Sequence, residues 1–91
     1  MALQWARQAH ADLVRLYEFL EPVNPPAAGR AVRQIVASAR RLPEQPRVGE
    51  RLPGFGEREV RRILIARFEM RYEIRGPDVF VLRIFHTREV R

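Results

Sequence analysis

Phe68-Glu69-Met70-Arg71-Tyr72-Glu73-Ile74-Arg75 alternates apolar and charged side chains without a break. Successive side chains of a strand point to opposite faces, so Phe68, Met70, Tyr72 and Ile74 are predicted to face a core. Glu69, Arg71, Glu73 and Arg75 then line the other, open face. Gly76-Pro77-Asp78 supplies a turn, and Val79 to Phe85 is apolar apart from Arg83. A run that is apolar on both faces is expected to be the most buried strand. Upstream, from Arg58, Val60, Arg62, Leu64, Ala66 and Phe68 alternate with Glu59, Arg61, Ile63, Ile65 and Arg67, a further strand-like stretch.

Working back from this sheet, the period changes. Trp5, Ala9, Leu13, Leu16, Tyr17 and Leu20 recur at spacings of three and four, predicting one face of a helix that stops near Glu21, before Pro22. Asn24 is a plausible N-cap and Pro25 suits the first position of a second helix. Ala27, Ala28, Ala31, Val32, Ile35, Val36, Ala39 and Leu42 form its apolar stripe, and Pro43 ends it. The small residues predict close approach of two helices as a hairpin across a short loop. Pro43, Pro46, Gly49, Pro53, Gly54 and Gly56 mark a connecting loop with a short extended piece around Val48 to Leu52. Ala2 to Trp5 reads as an edge strand or a helix approach, and after Phe85 the chain leaves the core through His86 to Arg91. The expected fold is therefore α+β: an N-terminal two-helix hairpin on one face of a small antiparallel sheet, one domain across residues 1–91.

Composition narrows the chemistry. The formal net charge is +6 and all 17 basic residues are Arg. Arginine grips carboxylates and phosphates with a planar fork, so an acidic partner, nucleic acid or polypeptide, is expected. Without lysine there is no lysine base and no Schiff base. Without cysteine there is no thiol chemistry or disulfide, which permits a cytoplasmic location. The N-terminus lacks a secretory apolar stretch, and no apolar run is long enough to span a bilayer. His10 and His86 are too far apart to suggest a metal site, and no cofactor motif is present.

Several motifs, in order, resemble the RelE/ParE family of bacterial toxins. They are Ala11-Asp12-Leu13-Val14-Arg15-Leu16-Tyr17-Glu18-Phe19-Leu20, Asn24-Pro25-Pro26-Ala27-Ala28, Leu42 to Gly49, Arg71-Tyr72-Glu73-Ile74 and Val81 to Glu89. The resemblance spans essentially the whole chain and implies a β-α-α-β-β-β domain acting as the toxin of a type II toxin–antitoxin pair. It also implies a cognate acidic antitoxin in the groove between helices and sheet, with operator DNA bound only through that antitoxin.

The family contains two mechanisms: ParE-like inhibition of DNA gyrase, and RelE-like cleavage of messenger RNA on the ribosome. The usual nuclease residues are incomplete here, since Glu69 stands where RelE-like nucleases carry an Arg and no aromatic residue follows Phe85. This favours the gyrase inhibitor, in which case the chain is not an enzyme. The alternative is an endoribonuclease with Glu69 as general base, His86 as general acid, and Arg62, Arg71 and Arg88 on the phosphate. Against it, the plainer reading of Glu69 and Arg71 is a set of exposed cross-strand ion pairs with neighbouring strands. A third reading, an Arg-rich RNA-binding domain, ranks last because the sheet lacks an exposed aromatic pair for base stacking. Arg61, Arg62, Arg71, Arg83 and Arg88 are the candidates for target binding. Arg83, inside an apolar strand, requires a carboxylate partner such as Glu69 or Glu59, or else faces the target.

Overall fold

The computed structural model describes residues 2–88. In chain order it contains β1 (Leu3–Trp5), α1 (Arg7–Leu20), α2 (Pro25–Arg41), β2 (Glu50–Arg51), β3 (Glu59–Ile65), β4 (Phe68–Arg75) and β5 (Asp78–His86). The five strands form one sheet in the order β1-β5-β4-β3-β2. The last four strands pair antiparallel, as expected, whereas β1 runs parallel to β5, with Leu3 beside Val79 and Trp5 beside Val81. Trp5 thus belongs to the edge strand and not to the first helix; Ala6 turns the chain, its amide bonding the Val81 carbonyl at 2.9 Å.

Both helices form where the apolar spacing placed them. Asn24 caps α2 by accepting the Ala27 amide at 3.1 Å, and Pro25 opens it. Ala28, Ala31, Ile35 and Ala39, with Leu42 just beyond, are buried along one side of α2. Ala31, Ile35, Ala39 and Leu42, with Ala9 of α1, meet Met70, Tyr72, Val79, Val81 and Ile84 of the sheet. Each large aliphatic side chain buried here contributes about 1.5–3 kcal/mol.

Two details of the sheet differ from the expectation. The alternation from Val60 to Phe68 does not run through, because the chain reverses at Ala66-Arg67 and Ile65 pairs with Phe68. Glu59, Arg61, Ile63 and Ile65 therefore share the helix-side face with Phe68, Met70, Tyr72 and Ile74, while Val60, Arg62 and Leu64 share the other. Secondly, the most buried strand is β4 rather than β5. β4 lies at the centre of the sheet, and its charged face is roofed by neighbouring arginine and phenylalanine side chains. The expected exit segment is described as far as Arg88; Glu89 to Arg91 lie outside the described residues.

Candidate functional site

The face of the sheet away from the helices carries a layer of interleaved charge. Glu69 is 1% exposed and Glu73 is 3% exposed, so both carboxylates of β4 are buried rather than solvated. Burying a carboxylate is costly unless it is paired, and each is gripped by two arginines. Glu69 accepts from Arg62 Nη1 at 3.2 Å and from Arg71 Nε at 2.8 Å. Glu73 accepts from Arg58 Nε at 3.0 Å and Nη2 at 2.8 Å, and Arg75 lies 2.9 Å away. The Arg58 hydrogen bonds hold the Glu73 carboxyl down at about 2, against the opposing effect of burial and with help from Arg75.

Aromatic rings of β5 lie against the arginines. The Arg71 and Arg83 guanidiniums sit 5.1 and 4.8 Å from the centroid of Phe85, and Arg75 sits 4.5 Å from that of Phe80. These are cation–π distances. Phe80 and Phe85 therefore do not present bare stacking faces.

Arg83 finds its carboxylate on neither Glu69 nor Glu59 but on Asp12 of α1. Its Nε donates to Asp12 Oδ2 at 2.7 Å and its Nη2 to Oδ1 at 3.2 Å, while the Ile84 amide donates to the same Oδ2 at 2.9 Å. Beyond Trp5 the strand β1 has ended, and Asp12 takes over at the uncovered edge of β5. Burial of Asp12 opposes its ionisation, but the Arg83 hydrogen bond, the Ile84 amide and the Arg83 charge together leave its carboxyl below the usual range. Asp12 was overlooked in the sequence, although its spacing from Ala9 and Leu16 puts it in the apolar stripe of α1, where a carboxylate requires a cation.

The other sequence candidates are distributed as follows. Arg62, Arg71 and Arg83 are together on the open face. Arg61 is on the helix-side face beside Tyr72, bonded to Glu59 at 2.9 Å and to the Gly49 carbonyl at 2.6 Å. Strand parity separates the proposed catalytic set: Glu69 pairs with Phe85 across the sheet, whereas His86 pairs with Phe68 and belongs to the opposite face. The His86 ring stands edge-on to Phe68 with centroids 5.5 Å apart, and its Nδ1 accepts the Arg88 amide at 3.1 Å. His86 and Arg88 thus line a groove of about 530 Å³ together with Leu16, Phe19, Leu20 and Ile84. Phe19 is 77% exposed at its rim. Arg15 and the Asp12 carboxylate border the same groove.

Among the described residues no group of three or more His, Cys, Asp or Glu side chains is placed to hold a metal. No helix among them is long and apolar enough to cross a membrane.

Comparison with known proteins agrees with this architecture. A family model described as the ParE toxin of the type II toxin–antitoxin system, parDE, matches residues 3–91. Among solved structures, the chain is similar to one described as a chromosomal ParDE TA system from P. aeruginosa. The two share 28% sequence identity and a TM-score of 0.79, over 94% of this chain and 95% of that one. No curated protein matches the chain in sequence.

Proposed function

This chain belongs to the ParE toxin family of type II toxin–antitoxin systems, and from that premise we propose that it stops bacterial growth by binding and inhibiting DNA gyrase, cutting no nucleic acid itself. The observation that carries this reading is the separation of the acid–base pair. Nucleolytic cleavage needs a base and an acid on the two sides of one phosphate, both within hydrogen-bonding reach of the reacting oxygens. Glu69 and His86 lie on opposite faces of the sheet. Glu69 is moreover buried and engaged by Arg62 and Arg71, which occupies the oxygens a base would use. The open face instead suits binding, with arginines held in place before a target arrives.

The groove on the other side is the proposed seat of the antitoxin. It offers apolar side chains from α1 and β5, and Arg15, His86 and Arg88 at its margin. An acidic amphipathic segment that folds on binding matches both features. Operator DNA would be reached through that antitoxin, and the complex would reside in the cytoplasm with the gyrase target.

The test is a supercoiling assay with purified gyrase and the purified chain, run beside mapping of messenger-RNA 5′ ends after induction in growing cells. Inhibited supercoiling with intact transcripts is expected. Codon-phased RNA ends with normal supercoiling would overturn the proposal in favour of the ribosome-dependent endonuclease.

A further inference from the structure

Arg62, Arg71 and Arg83 occupy directly opposed positions on β3, β4 and β5, placing three cations in one row straight across the sheet. Like charges directly opposite one another destabilise a sheet, and the fold accepts that juxtaposition twice in succession. Counter-ions make it tolerable: Glu69, 1% exposed, engages Arg62 and Arg71, the exposed Glu50 lies 3.4 Å from Arg62, and Asp12, 2% exposed, engages Arg83 from the edge of β5. Phe85 lies against both Arg71 and Arg83. The three side chains are thereby held in place and still keep 32%, 27% and 38% of their surface exposed.

We propose that this row grips the phosphate backbone of duplex DNA, independently of sequence, as part of the toxin's contact with its target. The proposal rests on the reading of this face as the target-binding surface. Neighbouring strands lie about 4.8 Å apart, so the row spans about 10 Å. Successive phosphates of one strand of duplex DNA rise ~3.4 Å along the axis but wind around it, which sets them roughly 7 Å apart in space, so that length faces about two phosphates. The planar guanidinium matches a phosphate bidentately, and holding it in place beforehand lowers the entropic cost of ordering it on contact. An acidic polypeptide fits this face less well. Phe80 and Phe85 are covered by guanidiniums, so a peptide would gain exposed ion pairs alone, which are weak; the apolar seat is on the opposite side of the sheet.

Fluorescence anisotropy of a labelled random-sequence duplex, titrated with the purified chain across a salt series, reads this directly. Two phosphate contacts predict a log–log salt slope of about −1.8. Arg62→Gln and Arg71→Gln should each reduce its magnitude by about one unit, whereas Arg33→Gln, an exposed cation on α2, should leave it unchanged. Arg71→Lys keeps the charge and the Glu69 pair, so it guards against misfolding: it should weaken binding while preserving the slope. Undetectable binding, an equal effect of Arg33→Gln, or poly-glutamate held as tightly with the same dependence on the row would overturn the inference. If row variants lose gyrase inhibition but the chain binds no DNA, the DNA contact is wrong and the gyrase reading stands. If DNA binds with the expected slope and supercoiling is untouched, the row stands and the gyrase reading falls.

Discussion

Glu73 illustrates how a single buried carboxylate can tie acid sensitivity to one arginine pair. Its pKa is lowered from an ordinary 4.5 to about 2 by Arg58 and Arg75. Because the folded-state value lies below the unfolded one, its contribution is fully present above about pH 4.5 and is lost as pH falls toward 2. Denaturant midpoints measured through that window should fall steeply for the native chain, and Glu73→Gln should flatten that acid limb. Asp12 allows a second test at the same scale. Asp12→Ala leaves the Ile84 amide without its acceptor and Arg83 without its carboxylate; a loss of about 1–3 kcal/mol is expected in chemical denaturation. Asp12→Asn keeps an oxygen for the amide and should cost less. Asp12 and Arg83 each stand in the sequence as a charge inside an apolar pattern; Arg83 is recognisable there as needing a carboxylate, and Asp12 carries the same signal for a cation. Their pairing was illegible because 71 residues separate them and only the seating of α1 along β5 brings them together.

At the scale of elements, the loop between α2 and β3 shows the same division. Its prolines and glycines identified it as a connection, yet it is fastened and not slack. The buried Tyr72 hydroxyl donates to the Pro46 carbonyl at 2.7 Å and accepts the Gly49 amide at 3.0 Å, and Arg61 holds the Gly49 carbonyl. Gly49 is required by close approach, since a Cβ there would lie 2.5 Å from the Arg62 carbonyl oxygen and 2.7 Å from the Tyr72 hydroxyl. Gly49→Ala should therefore destabilise by about 1–3 kcal/mol, and Tyr72→Phe, which orphans a buried amide, by a similar ~1–3 kcal/mol; urea midpoints check both. The β3–β4 turn was hidden for the opposite reason. Ala66 occupies a left-handed conformation at φ 55, a place where Gly or Asn usually advertises a hairpin. Ala66→Gly should be tolerated or slightly stabilising, by up to about 1 kcal/mol in thermal denaturation.

For the whole molecule, the sheet separates two surfaces that the proposed function uses differently: a cationic row on one face and an apolar groove on the other. Phe19, at the rim of the groove and mostly exposed, should be a binding anchor with little structural role. Phe19→Glu is expected to leave the thermal midpoint nearly unchanged while weakening capture of the antitoxin by at least about 30-fold, the cost of losing a hot-spot residue of ~2 kcal/mol. Gyrase inhibition by the same variant should persist. Co-purification and supercoiling assays on one preparation separate the two surfaces.

The amino-acid sequence by itself determined the order of helices and strands, the apolar stripe of each helix, the core side of β4 and the arginine-only positive charge. Those properties follow from local periodicity and composition, which any window of the chain carries. Tertiary structure alone decided that β1 joins the sheet in parallel, that Glu69 and Glu73 are buried, that Arg83 belongs to Asp12, and that Glu69 and His86 face opposite ways. Each of these depends on register between distant segments, and a shift of one residue in register moves a side chain to the other face of the sheet.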